Sequence, residues 1–152
     1  CGDMTLRKRR PGLVYPTNED WHYVGEAGEP AFGTNWANGS DGAEPATSFR
    51  IRETGIVDLN LNAVNTVNLF GVRIFTLPVG YRPSRRSFTQ PIYGQLTQGP
   101  ATGSYIGYLH IETDGQVVID GFKDDAGDDR DITKVVGQYM FYLVPPLSTD
   151  DL

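Results

Sequence analysis

The chain has 152 residues, carries 13 Lys+Arg against 19 Asp+Glu for a net charge of −6, and contains one cysteine. This length suits one domain with its own core, burying roughly 70% of the surface the unfolded chain exposes. A lone Cys1 excludes an intrachain disulfide framework, the negative balance argues against nucleic acid as a main partner, and no apolar run approaches the ~20 residues that membrane insertion of a helix requires.

The first segment is basic. Arg7, Lys8, Arg9 and Arg10 run up to Pro11 and read as part of an extended N-terminal arm over residues 1–20, either solvated or docked on an acidic neighbouring subunit. Position 1 is Cys and not Met, which suggests a processed product or a segment of a longer polypeptide. The folded domain is expected over residues 21–152.

Through that domain 18 Gly and 10 Pro interrupt the chain while aromatic and β-branched residues fill the gaps, a distribution of strands and turns. The spacing predicts a hairpin over 47–63. Phe49 and Ile51 alternate with Arg50 and Arg52, a Thr54-Gly55 turn follows, and Val57, Leu59 and Leu61 alternate with Asp58, Asn60 and Asn62. Period two on both arms gives one buried and one wet face. Further strands are predicted over 72–77 and over 87–93, where Pro91 demotes part of the second to an edge.

A second hairpin pairs 105–112 with 116–122 through Asp114-Gly115, a dipeptide that favours a type I′ turn. Gly107 and Gly121 inside its arms suggest a bulge or close backbone packing. A last strand over 138–144 stops at Pro145 and Pro146. The best helical stretch, 131–136, is too short to carry a fold. Seven or eight short strands imply an all-β, antiparallel architecture, a β-sandwich or jelly roll.

Catalytic constellations are hard to find. His22 and His110 lie in unrelated contexts, both read as structural or surface residues, and no Gly-x-Ser-x-Gly elbow is present, so a nucleophilic triad is not expected. One terminal Cys and two separate His give no zinc-ligand spacing. The acidic loop with Asp124, Asp125, Asp128 and Asp129 around Gly127 is the one candidate for a cation, calcium by its oxygen chemistry, though it lacks the spacing of an EF-hand. Its adjacent aspartates have nothing to raise one pKa for glycoside hydrolysis. No cofactor is otherwise expected.

Binding residues are easier to nominate. Trp36, Tyr81, Tyr93, Tyr105 and Tyr108 sit among Gly, Asn and Arg, a mixture suited to stacking on sugar rings. Arg82, Arg85 and Arg86 flank Tyr81, where guanidinium forks suit carboxylates or phosphates. The expected ligand set is therefore Trp36, Tyr81, Arg82, Arg85 and Arg86.

Two phrases resemble a known family. The run from Trp21 to Phe32 (WHYVGEAGEPAF), followed by Asn35-Trp36-Ala37-Asn38, and the run from Phe75 to Pro83 (FTLPVGYRP) are similar to phrases in the C-terminal, receptor-binding tip domains of bacteriophage tail fibres and minor tail proteins. The similarity covers roughly residues 21–122. It implies a non-enzymatic virion protein, a homotrimer by the habit of such domains, that meets a host-surface glycan or protein and contacts other virion proteins. A basic arm in place of a stalk leaves open a second role, a structural capsid decoration or head-fibre protein. The phrases themselves read as scaffold, and no ligand residue carries over from them.

Overall fold

The computed structural model describes residues 19–39, 45–52, 55–69, 73–84, 87–96 and 103–143. Among these there is no helix, and none therefore long and apolar enough to cross a membrane. The described residues form nine strands: β1 (His22–Tyr23), β2 (Trp36–Asn38), β3 (Ser48–Ile51), β4 (Ile56–Leu69), β5 (Arg73–Thr76), β6 (Phe88–Leu96), β7 (Gly103–Ile111), β8 (Gln116–Asp120) and β9 (Ile132–Tyr142). Every strand pairing is antiparallel, so the fold is all-β and antiparallel as the periodicity indicates.

The sandwich form of that expectation is not confirmed. In place of two separate facing sheets, the strands join in one continuous path, β1-β3-β4-β9-β6-β7-β8-β5, with β2 alongside β4. Strand twist gives such a sheet its coil, and here it curls into a half-barrel. The chain leading into β2 spans the opening. Phe32 bridges antiparallel to Phe75 of β5, the Gly33 amide donates to the Ile74 carbonyl at 2.6 Å, and Trp36 then pairs with Asn65 of β4. Elements from the two far edges of the sheet thus touch, which shields edges that would otherwise template aggregation.

The inward face supplies the core. Phe49, Val57, Leu59, Leu61, Phe75, Leu109 and Ile119 are buried, each alternating along its strand with a more exposed neighbour, and Phe122 joins them from beyond β8; each contributes about 1.5–3 kcal/mol if fully removed from water. Phe49 stacks on Phe75 across the curl, with ring centroids 6.1 Å apart. Strand β9 lies in the middle of the sheet, between β4 and β6. It begins six residues before the predicted strand and absorbs the nominal helical stretch, because Ile132, Thr133, Val135 and Val136 are β-branched and line up against β4. Pro91 behaves as predicted: β6 pairs with β9 only over Tyr93–Gln95, so the proline lies just outside the doubly paired stretch.

Three turns among the described residues share one design, which differs from the type I′ expected at Asp114-Gly115. The Gly115 amide donates to Glu112 O, the Glu112 amide donates to Gln116 O, and Gly115 has φ +92° while Asp114 does not adopt a positive φ. This is a three-residue loop closed by a glycine bulge. The same pair of bonds recurs around Gly55, from Arg52 to Ile56, and around Gly127, from Asp124 to Asp128. Only glycine adopts that left-handed position without strain, so the Asp-Gly dipeptide carries its signal in the glycine.

Candidate ligand-binding groove

The outward face of β1, β3, β4 and β9 carries polar side chains in register. Tyr23 pairs with Ser48, Ser48 with Asn60, and Asn60 with Gln138, so these four residues cross the sheet in one row. The next row runs from Arg50 to Asp58 to Met140. Cross-strand neighbours on one face stand about 4.5–5.5 Å apart, so sequence positions 23, 48, 60 and 138 become adjacent. Trp21 lies beside the second row, its ring centroid 4.4 Å from the Arg50 guanidinium carbon.

Together Trp21, Tyr23, Ser48, Asp58, Asn60, Gln138 and Tyr139 line an open groove of about 440 Å³ rimmed by Pro45 and Ala46. A second hollow, lined by Arg52, Asp58, Gln138, Tyr139 and Met140, shares three of these residues and extends it. Asn60 Nδ2 donates to Ser48 Oγ at 3.2 Å, and that hydroxyl donates to the Ala46 carbonyl at 2.8 Å. Tyr139 is anchored by its hydroxyl, which donates to the Pro91 carbonyl at 2.8 Å, and burial pushes its phenol up to about 12. The groove therefore offers flat aromatic surface next to amide, hydroxyl and carboxylate groups.

The residues nominated from sequence are dispersed. Trp36 is a core residue, only 6% exposed, because pairing with β4 turns its ring inward; it is not presented to a surface ligand. Tyr81 packs edge-on against Phe49, with centroids 4.9 Å apart. Its hydroxyl donates to Glu19 Oε2 at 3.0 Å, and burial together with that carboxylate raises its pKa to about 12. Arg82 Nε donates to the Leu77 carbonyl at 2.8 Å and buttresses the strand junction at Gly115. Arg85 and Arg86, and the arm residues Arg7, Lys8, Arg9 and Arg10, lie outside the described residues. Tyr93 and Tyr108 are exposed on β6 and β7, in a separate part of the sheet.

The acidic loop is internally committed. One Asp124 oxygen accepts the amides of Ala126 and Asp128 at 3.0 and 2.9 Å, and the other accepts Arg130. Those bonds, the Asp128 amide first, hold its carboxyl below the usual range. Asp129 pairs with Lys123. No group of three or more His, Cys, Asp or Glu suited to a metal ion occurs among the described residues, so the aspartates nominated for calcium do not converge.

Two polar networks escape sequence reading. His22 Nδ1 faces Glu29 Oε1 at 2.9 Å, while Nε2 lies 3.0 Å from the Tyr81 hydroxyl and 3.5 Å from Glu19. Burial alone lowers the His22 pKa, but hydrogen bonds and charge from Glu29 and Glu19 outweigh it and leave the pKa raised. His22 also stacks on Phe49. This network joins the two phrases of the resemblance: Trp21–Phe32 and Phe75–Pro83 meet through His22 and Tyr81 and through the Phe32–Phe75 bridge.

The second network aligns Thr89, His110 and Asp120 across β6, β7 and β8. The Thr89 hydroxyl is 3.0 Å from His110 Nδ1, and His110 Nε2 is 2.8 Å from Asp120. Hydroxyl, imidazole and carboxylate in line are the parts of an activated nucleophile. Here they lie flat on the outer face, and neither hollow of the groove includes them.

No protein-family model, curated protein or solved structure matches this chain. The likeness to tail-fibre domains rests on the two quoted phrases.

Proposed function

We propose that this chain is a non-enzymatic module that binds a saccharide along the outer face of β1, β3, β4 and β9. The observation that carries this reading is the groove itself, where Trp21 and Tyr23 bring aromatic surface beside Asp58, Asn60 and Gln138. Aromatic rings take the apolar faces of a sugar, and planar amides and carboxylates bond its hydroxyls. Its open form suits a polymer lying across the sheet. The tail-fibre resemblance supports a setting in a phage virion, at a fibre or tail tip, with the saccharide on the host surface and the chain assembled as a homotrimer among other virion proteins.

The non-enzymatic reading has its own support. Both nitrogens of His22 are taken up by Glu29, Tyr81 and Glu19, and Tyr81 stays protonated at neutral pH. Titration calorimetry of the full chain against a panel of oligosaccharides tests the proposal. Trp21→Ala and Tyr23→Ala should abolish binding while leaving the unfolding midpoint within a few degrees of the parent. Binding that survives both substitutions refutes it.

A second reading, a capsid decoration or head-fibre protein, draws support from charge segregation. Arg7, Lys8, Arg9 and Arg10 against Asp3, Glu19 and Asp20 leave the 1–20 arm at +1, while residues 21–152 carry −7. A cationic arm fits an acidic neighbouring subunit. Deleting Arg7 to Arg10 should then reduce incorporation into particles without changing saccharide binding, and unchanged incorporation discards that role.

A further inference from the structure

Among the described residues the groove holds an unbalanced charge. Arg50 and Arg52 project from the same face of the β3 arm and both approach one oxygen of Asp58, at 3.2 and 3.1 Å. Only Arg50 makes a hydrogen bond there, through Nε, and its guanidinium is further fixed over the Trp21 ring. Arg50 and Asp58 thus form a matched pair. Among the described residues Arg52 is surplus: its Nε is buried and close to Asp58 but misaligned for a hydrogen bond, and its Nη2 meets only the Met140 sulfur there, at 2.9 Å. A thioether is a weak acceptor, whereas a guanidinium is suited to a two-oxygen anion. The nearby Glu19 carboxylate is occupied by the Ile51 amide, Tyr81 and His22. A cation with poor internal partners therefore lines the Met140 end of the groove.

We infer that the saccharide bound here is anionic and seats an oxyanion, a uronate carboxylate or a sulfate ester, against Arg52. This rests on the groove being the saccharide site and specifies which sugars it selects. The neutral rings of the polymer lie along Trp21 and Tyr23, and every anionic residue that reaches Arg52 gains a charge-assisted hydrogen bond that a neutral hexose lacks. Selectivity arises although the chain as a whole is negative, because at this close range the local pair decides while distant charges are screened.

The test titrates the full chain with tetramers of glucuronate, galacturonate and mannuronate, with the neutral hexose tetramers of the same linkages, and with sulfated galactose tetramers, at low and at moderate salt. An anionic tetramer should bind roughly tenfold more tightly than its neutral counterpart, and salt should narrow the gap. Whether uronate or sulfate shows the larger gap identifies the source of the oxyanion. Arg52→Gln should bring anionic ligands down to the neutral level and leave neutral ones unchanged. The Arg52 main chain makes the hairpin bonds, so the substitution spares the turn. Asp58→Asn should widen the anionic-to-neutral binding ratio several-fold, a change that misfolding does not produce. Neutral tetramers binding as well as anionic ones, with Trp21→Ala still abolishing both, overturns the inference and spares the groove. Anionic selectivity retained in Arg52→Gln also overturns it. Absence of binding across the panel overturns the inference and the saccharide reading together.

Discussion

Phe122 lies over glycine, and a four-variant cycle measures how much that contact matters. A Cβ placed on Gly94 would stand 2.5 Å from Phe122 Cε1, 3.1 Å from its Cδ1 and 3.0 Å from Ile132 Cγ2, where carbon atoms rest at about 3.5–4.0 Å. All three obstacles are side-chain atoms. Gly94→Ala must displace a ring that is only 2% exposed, an overpacking cost of about 1–3 kcal/mol. Phe122→Ala removes the ring and leaves a cavity, costing about 3–5 kcal/mol. In the double variant the new methyl enters space the ring has vacated, so its cost should fall short of the sum by about 1–2 kcal/mol. Gly107→Ala is the control, since its Cβ would lie 2.7 Å from the Asp120 carbonyl oxygen as well as 2.7 Å from the ring, and the carbonyl remains after Phe122→Ala. Its coupling should be the smaller. Urea unfolding with equal slopes supplies the free energies. Additivity at Gly94 within about 0.5 kcal/mol refutes this packing argument.

Four further outcomes follow from the polar networks. The His22 pKa is raised from 6.5 in the fold, so its stabilisation is fully present below pH 6.5 and is lost as pH climbs through the raised value; thermal midpoints should fall as pH rises above 6.5, and His22→Gln should remove that step. Tyr81, raised from 10.0 to about 12, stabilises the fold below pH 10 and ceases to do so as pH approaches 12, and Tyr81→Phe should flatten that alkaline loss. Asp124→Ala should lower the unfolding midpoint and speed amide exchange at Ala126 and Asp128, while millimolar calcium should leave the parent midpoint where it was; a calcium-dependent rise contradicts the internal role of Asp124. Finally, p-nitrophenyl acetate hydrolysis should be the same for the parent and Thr89→Ala, and a rate that depends on Thr89 removes the non-enzymatic reading.

The strands that alternate cleanly were legible in the sequence. Phe49 and Ile51 against Val57, Leu59 and Leu61 specify both a hairpin and its buried face, because a one-residue slip would turn every apolar side chain to water. The two- and three-residue strands β1 and β2 are too short for periodicity and are held by partners 25 or more positions away, Phe49 and Asn65 among them. Trp36 illustrates the consequence. Its Gly- and Asn-rich surroundings suggest an exposed ring, and only the pairing with β4 turns it into the core. The groove was partly legible: Arg50, Arg52, Asp58 and Asn60 read as the wet face of a hairpin, and a three-residue loop ending in Gly55 sets Arg50 opposite Asp58. What no local pattern supplies is Gln138 and Tyr139, which arrive because the last strand enters the middle of the sheet beside β4.

That insertion also bears on where a ligand can be recognised. Reading such a chain as loops on a scaffold assigns specificity to the turns, yet the glycine-bulge tips at Gly55 and Gly115 join adjacent strands, and these and the Gly127 turn between β8 and β9 spend their backbone groups on closure. Asp124, the most polar residue at any of them, spends its carboxylate the same way. The groups with capacity to spare on the flat of the sheet are Asn60 and Gln138, which pleating sets outward while their neighbours fill the core. Their spacing is dictated by hydrogen-bonded register and resists drift better than a loop. A saccharide lying across β3, β4 and β9 would meet a surface whose geometry is fixed by the same bonds that close the fold.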